Sequence, residues 1–354
     1  MAESKGNGGA GDSGAMSYRQ AGVDREVAAR AKRRIGDLVR STHVAGVLSK
    51  PGSFGGLFRV PADLADPVLV ASADGVGTKL KVAMLTGRHD TVGRDLVNHC
   101  VNDILVEGAR PLFFLDYIGM GRLEAGTVEA LVAGVADGCR ENGCALLGGE
   151  TAEMPDFYAP GEYDLAGFIV GVVENGKRPG AHRVRSGDAL VALASDGFHT
   201  NGYSLLRRIL FERAGLGVDD AYPEIGASVG EVLLRVHRSY LKPLLPLLHE
   251  ERIHALAHIT GGGIPENLDR VLPPGLQAQV RRSTWEPPVE FRVAGRIGRV
   301  DEDEMYRTFN MGVGMILVVA PEDADSVVER LRGAGEDAWI AGVVAEGATP
   351  VVLL

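Results

Sequence analysis

Carboxylate, amide and ammonium side chains are concentrated in three short segments of the first half of the chain. One of them, Asp74-Gly75-Val76-Gly77-Thr78-Lys79, follows an apolar run and places a carboxylate, two glycines, a hydroxyl and an ammonium in one turn. The glycines allow backbone N–H groups to approach an anion, Lys79 can neutralise phosphate oxygens, and Asp74 can hold Mg²⁺. The order of residues differs from a Walker A loop. Taken alone, this turn is equally typical of a solvated surface loop.

Two further acidic segments favour a cation site. A predicted helix that begins at residue 90 carries polar residues at steps of three and four, which places them on one side of the helix, although a solvated face explains this spacing equally well. These residues are Asp95, Asn98, Asn102 and Asp103. Gly148-Gly149-Glu150 comes directly after a predicted buried strand. Two carboxylates about 4 Å apart repel by roughly 4 kcal/mol at an effective dielectric constant of about 20, so a cleft that gathers them requires a cation such as Mg²⁺.

The second half contains two glycine-rich turns that each lie between a predicted strand and a predicted helix. The first, residues 196–202, includes His199 and Asn201, and the second is Thr260-Gly261-Gly262-Gly263. Unpaired N–H groups and the helix dipole favour an anion at such a turn. Most β–α turns bind nothing, but two of them beside the acidic segments of the first half predict a phosphorylated substrate.

Two other pattern matches do not indicate a site. Gly226-Ala227-Ser228-Val229-Gly230 has the form of a hydrolase nucleophile elbow, but no predicted strand precedes it, and Glu231 completes a helix capping box. His254 and His258 stand four residues apart, as in a zinc protease helix. Ala255 replaces the required glutamate and the segment is typical of a strand, which argues against zinc.

Composition excludes several classes of function. The 354 residues carry 47 acidic and 37 basic side chains, a net charge of −10, with 45% hydrophobic residues, which describes a globular protein of about two domains. The acidic balance and the lack of a basic stripe argue against nucleic acid as a partner. The longest uncharged stretch, residues 308–321, is shorter than the about 20 residues of a membrane span. Cys100, Cys139 and Cys144, without a C-x-x-C pair, predict reduced buried thiols in a cytoplasmic protein.

Periodicity predicts a mixed α/β (α+β) protein with two domains, at residues 18–174 and 175–354, after a disordered leader at 1–17. The predicted strands are 67–73, 112–118, 144–147, 163–174, 189–194, 254–259, 313–319 and 338–344. The predicted helices are 90–109, 126–142, a helix from 203 onward, 228–248 with disturbance at Pro243 and Pro246, and 323–333.

Beyond the leader, the chain resembles the phosphoribosylformylglycinamidine cyclo-ligase family over almost its whole length. The resemblance rests on residues 17–24, 54–56, 74–79, 101–103, 111–117, 148–155, 199–205, 260–263 and 304–310. The acidic segments are shared with a wider ATP-binding superfamily, whereas PLFFLDY, GGETAEMP and EMYRTFN together discriminate the cyclo-ligases. One departure is Gly36, where a lysine is common in the family.

The resemblance implies an ATP-dependent closure of formylglycinamidine ribonucleotide to aminoimidazole ribonucleotide, with release of ADP and phosphate, in de novo purine synthesis. It also implies a homodimer in which strands of the two amino-terminal domains form a shared barrel, with a separate carboxy-terminal α/β domain packed across the cleft. Two alternatives remain open: another ATP-dependent enzyme of the superfamily, such as formylglycinamidine ribonucleotide synthase, and a non-catalytic nucleotide-binding protein.

The resemblance also implies roles for the candidate residues. Asp74, Asp103 and Glu150 are expected to hold Mg²⁺ on ATP. The rest of the predicted nucleotide site is Gly75, Gly77, Thr78, Lys79, Asn102, Phe54 and Gly55, the last two in a glycine-rich segment that is either a flap or a linker. The predicted substrate site is His199, Asn201, Thr260, Gly261, Gly262 and Gly263. Lys79, Asp103 and His199 are the expected catalytic residues, with His199 as an acid, a base or a hydrogen-bond donor.

Overall fold

The structure is a computed structural model and describes residues 25–354. The predicted leader and the family resemblance at residues 17–24 lie outside the described residues. Two β-sheets, each packed against helices, make up this part of the chain, which confirms the predicted mixed α/β class. The boundary that we predict at residues 174 and 175 lies between the two sheets and stays a prediction.

The first sheet is built from the first half of the chain. Its helices and strands are α1 (Arg25–Ser41), β1 (Pro67–Gly75), α2 (Leu80–Thr86), α3 (Asp90–Leu105), β2 (Arg110–Met120), α4 (Ala125–Glu141), β3 (Ala145–Glu153) and β4 (Tyr163–Glu174). The strand order is β1-β4-β2-β3, in which only β2 and β3 are parallel. Helix α4 forms because its apolar residues recur at steps of three and four, and this buried stripe packs against α3.

Within residues 25–354, helices cover only one face of the first sheet. Along β4, Leu165 and Ile169 are buried on the side of α3. Their neighbours point to the opposite face, where Phe168 is 45% exposed and Leu69 of β1 is 59% exposed. Phe168 pairs with Ala73, and Leu69 lies four residues before Ala73 on β1. Because alternate residues of a strand share a face, Leu69 and Phe168 lie on the same uncovered face.

The second sheet comes from the remaining chain. Its elements are β5 (Ala189–Ala194), α5 (Tyr203–Arg207), α6 (Val229–Leu233), α7 (Leu241–His249), β6 (Ile253–His258), α8 (Gly263–Asp269), β7 (Leu276–Val280), α9 (Val289–Gly298), α10 (Glu302–Thr308), β8 (Val313–Val319), α11 (Ala324–Gly333), β9 (Ala338–Glu346) and β10 (Val351–Leu353). The strand order is β10-β7-β9-β5-β8-β6, and only β10 and β7 are parallel. No helix in residues 25–354 is long and apolar enough to cross a membrane.

Two local predictions were wrong. Gly148-Gly149-Glu150 is not a loop: β3 continues through these residues because β2 pairs with it as far as Met120 and Glu153. The predicted helix 228–248 is two helices separated by an irregular segment, residues 234–240. Pro243 falls in the first turn of α7, where its missing N–H is tolerated, and Pro246 lies inside that helix.

Other local predictions are confirmed. The side chain of Ser228 accepts from the backbone N–H of Glu231, and the Glu231 carboxylate accepts from the Ser228 N–H, which is the predicted capping box. All three cysteines are free and buried.

Candidate active site

Helix α3 connects the two halves of the protein through its polar side. Asp95 accepts from the backbone N–H of His237 at 2.7 Å, and the Asn98 amide donates to the His237 carbonyl at 2.8 Å. Asn102 donates to the carbonyl of Arg238 at 2.8 Å and accepts from the N–H of Tyr240. All three α3 side chains are buried, so the interpretation of a solvated face was wrong. They satisfy backbone groups of the irregular segment 234–240 that no helix or sheet satisfies.

Lys79 also connects the two halves, and it is fully buried. Its Nζ lies 2.8 Å from Asp95 Oδ2, and donates to the carbonyl oxygens of His199 and Arg235 at 3.0 and 2.7 Å. The two carbonyls accept hydrogen bonds from the ammonium, and the Asp95 carboxylate pairs with its charge. Burial lowers the pKa of Lys79, and the Asp95 carboxylate opposes this effect. In this conformation the side chain fixes the loop of His199 against α3, and phosphate binding by Lys79 stays a prediction that these contacts do not support.

Asp74 and Asp103 are close together because both contact His99. The Nε2 atom of His99 lies 2.9 Å from Asp74 Oδ2 and 3.9 Å from Asp103 Oδ2. Asp103 Oδ1 lies 2.9 Å from Nδ1 of His258, the last residue of β6, and Ser72 donates to its Oδ2. The side chains of Asp74 and Asp103 are 43% and 26% exposed, so both carboxylates remain accessible.

The same contacts continue through buried residues of the second half. Thr200 Oγ1 lies 2.7 Å from His99 Nδ1 and 3.3 Å from His237 Nδ1. His237 Nε2 lies 3.0 Å from His258 Nε2. The resulting series of hydrogen-bonded side chains joins the two carboxylates, and we call it the histidine–aspartate chain. Its members in order are Asp74, His99, Thr200, His237, His258 and Asp103.

Burial and nearby charges have opposite effects on the pKa values of the histidine–aspartate chain. Burial lowers the pKa of His237, and it lowers the pKa of His258 despite the nearby Asp103 carboxylate. Burial also acts on His99, but the hydrogen bond to Asp74 and the charge of Asp103 outweigh it and raise the His99 pKa. Burial acts to raise the pKa of Asp103, but the hydrogen bond with His258 and the charges of His258 and His99 together outweigh it and lower the pKa. The carboxylates are therefore ionised, and His99 is the imidazole that most favours a positive charge.

His199 lies in the first glycine-rich turn, with a left-handed backbone at φ 58°. Its Nε2 accepts from the N–H of Asp196, and its ring stacks on His237 at 4.0 Å. Burial lowers the pKa of His199 well below its usual value, so the imidazole is neutral and carries its proton on Nδ1. That Nδ1 is buried without a hydrogen-bond partner among the described residues. Of the three roles left open by the sequence, the geometry favours a hydrogen-bond donor.

The two glycine-rich turns adjoin each other. A Cβ added to Gly261 would lie 3.3 Å from Asn201 Oδ1, and the Asn201 Nδ2 is buried without a partner in the described part of the chain. Gly263 has φ 61°, and a Cβ there would collide with the Tyr306 carbonyl, so the position requires glycine. The Asn267 amide donates to the carbonyls of Gly261 and Gly263 and fixes the loop. Within the same loop, Thr260 donates to Asn267 and Gly262 has φ 88°.

The remaining predicted residues fall into two groups. Gly75, Gly77 and Thr78 directly follow Asp74, and the Thr78 hydroxyl lies 3.0 Å from that of Ser204. Glu150 lies on β3, at the opposite edge of the sheet from β1. Three strand spacings of about 4.8 Å separate the two edges by about 14 Å. Phe54 and Gly55 are exposed on a loop whose next residue, Gly56, lies against Leu147 of β3. A single chain therefore does not bring Glu150, Phe54 and Gly55 to Asp74.

The sequence interpretation missed four members of the histidine–aspartate chain, one of which, His258, it considered as a ligand only within a zinc-protease pattern. His99 lies four residues before Asp103 on one helix, a spacing that places both on one face, and this signal was available. Thr200 lies inside a motif that was recognised for its neighbours. His237 belongs to an irregular segment without periodicity, so the sequence offers no signal for it.

Comparison with known proteins identifies related chains. The family model described as AIR synthase related protein, N-terminal domain, matches residues 56–173, and the C-terminal domain model matches residues 185–354. A protein of Trichlorobacter lovleyi is 50% identical over 329 residues, which cover 93% of this chain and 94% of that protein. A protein of Sorangium cellulosum is 49% identical over 338 residues, or 95% and 97% of the two chains. Both are named phosphoribosylformylglycinamidine cyclo-ligase.

Solved structures with the same fold are more distant in sequence. Thiamine-monophosphate kinase from Stenotrophomonas maltophilia superposes with a TM-score of 0.67 at 17% identity, over 90% of this chain and 95% of that one. The hydrogenase maturation protein HypE of E. coli gives 0.64 at 18% identity, over 91% and 93%. At these identities the likeness establishes the fold. On the strength of the full-length relatives, the chain belongs to the phosphoribosylformylglycinamidine cyclo-ligase family.

Proposed function

We propose that this protein closes the imidazole ring of aminoimidazole ribonucleotide. It uses ATP to convert formylglycinamidine ribonucleotide, and it releases ADP and phosphate, as a ligase of purine biosynthesis. The observation that carries this proposal is the identity of 45–50% with relatives of that name over at least 93% of the chain. Both domain models match, and the alignments cover 94–100% of the relatives' own length.

The arrangement of the loops supports a phosphorylated substrate between the two halves. His258 ends β6, and Thr260 begins the glycine-rich loop two residues later. Two residues span about 7 Å, so a phosphate in this loop would lie within one small molecule's length of Asp103. The buried, unpartnered Asn201 amide beside Gly261 supplies a donor at the same place. We therefore assign the ribose phosphate to this loop.

The nucleotide and its cation are assigned to the side of the first half. A HypE structure solved in complex with ATP and a ThiL structure complexed with AMPPCP and TMP share the fold, with TM-scores of 0.62 and 0.55. The accessible oxygens of Asp74 and Asp103 suit Mg²⁺, which prefers oxygen ligands and phosphate partners. Mg²⁺ held there would neutralise charge on the triphosphate.

A homodimer accounts for the residues that a single chain leaves apart. The uncovered face of the first sheet carries Leu69 and Phe168, large apolar side chains that a partner sheet would bury. A shared barrel would also bring the sheet edges of the two chains together, and Glu150, Phe54 and Gly55 lie at the β3 edge. We assign these three residues to the nucleotide site across the dimer.

The reduced thiols support a cytoplasmic location.

The proposed chemistry has two steps. The γ-phosphoryl group passes from ATP to the formyl oxygen, which releases ADP and makes that oxygen part of a phosphate leaving group. The amidine nitrogen then attacks the formyl carbon, the C–O bond breaks, and phosphate and a proton are released. His199 contributes the Nδ1–H as a donor to developing negative charge. Lys79 positions His199 by holding its carbonyl against α3.

The test is to incubate the purified protein with formylglycinamidine ribonucleotide, ATP and Mg²⁺, and to quantify aminoimidazole ribonucleotide and ADP together. Equal amounts of both products are expected. ADP without the imidazole would reassign the substrate within the superfamily. ATP binding without either product would replace this proposal with the non-catalytic alternative.

A further inference from the structure

The two glycine-rich turns are each held by one buried asparagine. Asn310 follows α10 and Asn267 lies in α8, and both residues are 3% exposed. The Asn310 Nδ2 donates to the Gly197 carbonyl of the first turn at 3.0 Å. The Asn267 Nδ2 donates to the carbonyls of Gly261 and Gly263 in the second turn, at 3.1 and 2.8 Å. Each turn therefore depends on a side-chain donor from an element next to it.

The amide oxygen of each asparagine accepts from a hydroxyl at the start of the turn that it holds. Ser195 Oγ lies 3.0 Å from Asn310 Oδ1, and Thr260 Oγ1 lies 3.1 Å from Asn267 Oδ1. Asn310 Oδ1 also accepts from the N–H of Gly312 at 2.9 Å. A backbone N–H can only donate and a backbone carbonyl can only accept, so these contacts fix the orientation of both amides. The same arrangement of donor and acceptor thus occurs at both turns.

The chain between α10 and β8 contacts both turns. A Cβ on Gly202, at the end of the first turn, would lie 2.1 Å from Cε1 of Phe309. A Cβ on Gly263, in the second turn, would lie 1.9 Å from the Tyr306 carbonyl oxygen. Protein interiors are close-packed, so this segment cannot shift without displacing both turns. It therefore sets their separation, and Asn310 links it to the first turn by a hydrogen bond.

The backbone of the first turn needs such support. Gly197 has φ 73° and His199 has φ 58°, so a residue with a side chain occupies the left-handed region. Residues in this region persist where surrounding contacts fix them. The His199 ring accepts from the N–H of Asp196, which lies one residue before Gly197. Release of the Gly197 carbonyl would loosen the backbone that carries this N–H.

We propose that Asn310 is a positioning residue that fixes His199 relative to the glycine-rich loop that we assign to the ribose phosphate. This inference rests on the proposed function, because it concerns the site assigned there. Asn310 acts through the Gly197 carbonyl, and Asn267 has the corresponding place in the phosphate loop. Loss of Asn310 should therefore slow turnover, whereas loss of Asn267 should weaken binding of the phosphate.

The test compares Asn310→Ala with the matched variant Asn267→Ala in the full chain. For Asn310→Ala we expect kcat to fall by at least about tenfold, while the KM for the ribonucleotide and the Kd for ribose 5-phosphate change by less than about twofold. For Asn267→Ala we expect that KM and that Kd to rise by about fivefold or more, with a smaller change in kcat. Isothermal titration calorimetry measures the binding of ribose 5-phosphate without turnover.

A His199→Ala background separates positioning from stability. If Asn310 acts through His199, Asn310→Ala should lower kcat no further in this background, because residues that act as a unit have non-additive effects. In protein with ¹⁵N-labelled histidine, the ring resonances of His199 are identified by their loss in His199→Ala. They should shift in Asn310→Ala and stay unchanged in Asn267→Ala.

Urea unfolding shows whether each variant folds. If Asn310→Ala does not, Ser195→Ala takes its place in every measurement, because Ser195 Oγ lies 3.0 Å from both Asn310 Oδ1 and the Gly197 carbonyl. Unchanged His199 resonances, a KM effect as large as the kcat effect, or an equal loss of kcat with and without His199 would overturn the proposal. Product formation by the wild type would leave the proposed function standing in each of these cases. If the wild type formed no aminoimidazole ribonucleotide, the proposed function would fail, and the His199 resonances would still decide the role of Asn310.

Discussion

Replacement of Lys79 by methionine separates the structural role of this lysine from phosphate binding. The change removes the only cation in contact with Asp95 in the described structure, and it removes the donor to the carbonyls of His199 and Arg235. Breaking one partner of a buried ion pair costs about 3–5 kcal/mol, and each buried carbonyl left unpaired adds about 1 kcal/mol or more. We therefore expect Lys79→Met to lower the free energy of unfolding by about 5 kcal/mol.

A loss of this size is comparable with the whole stability of a domain, about 5–15 kcal/mol. Urea unfolding followed by circular dichroism measures it. The double variant Lys79→Met with Asp95→Asn removes the buried charge while an amide oxygen still accepts from the His237 N–H, so most of the stability should return. Lys81→Met is the matched control, because Lys81 is two residues away and pairs with Glu162 at the surface. Its stability should change little.

The refuting result is specific. If Lys79→Met kept the wild-type unfolding free energy but raised the KM for ATP, the lysine would be a phosphate ligand, and the buried link to Asp95 would not describe the working enzyme. A stability loss that the double variant does not recover would show that the cost comes from packing rather than from the unpaired carboxylate.

Three further predictions test the other parts of the structure. Gly263→Ala should lower the free energy of unfolding by at least about 1 kcal/mol and raise the KM for the ribonucleotide, because φ at this position is 61° and the added Cβ would collide with the Tyr306 carbonyl. Urea unfolding measures the first effect and initial rates measure the second. A variant with unchanged stability and KM would contradict the prediction. Phe168→Asp should convert the expected dimer to monomer in light scattering, whereas Leu85→Asp on α2 should not. Burial raises the pKa of Asp116 to about 7, so the folded state binds more protons than the unfolded state between about pH 4 and about pH 7. Stability should therefore fall as the pH rises through that range, and Asp116→Asn should flatten this slope in urea titrations; an unchanged slope would exclude Asp116 as its source.

The sequence predicted elements better than it predicted their surroundings. The periodicity of residues 90–109 predicted α3 to within a few residues, because a helix is a local structure. The same residues could not reveal that the polar side of α3 is buried, since its partners, the backbone groups of residues 237–240, lie more than 130 positions away in sequence. Gly148-Gly149 resembled a loop, and only pairing with β2 keeps these residues in a strand.

The candidate site shows the same limit. The types and spacing of Asp74, Asp103 and the glycine-rich turns indicated an anion and a cation, and the structure brings Asp74 and Asp103 together through His99. Lys79 was a reasonable phosphate ligand from its place in the motif. Its burial depends on Asp95 and on two carbonyls of the second half, which are long-range contacts that a linear motif does not contain.

The use of Lys79 in the interior changes the charge balance of the site. Two ionised carboxylates, Asp74 and Asp103, face the cleft, and the only basic side chains in contact with them in residues 33–354 are His99 and His258. Burial disfavours a positive charge on His258, so His99 balances one carboxylate at most, and the remaining negative charge favours a cation from solution. Because the histidine–aspartate chain includes residues from both halves, a cation bound there also stabilises their contact. Assembly of the charged site and packing of the two halves are thus one linked equilibrium.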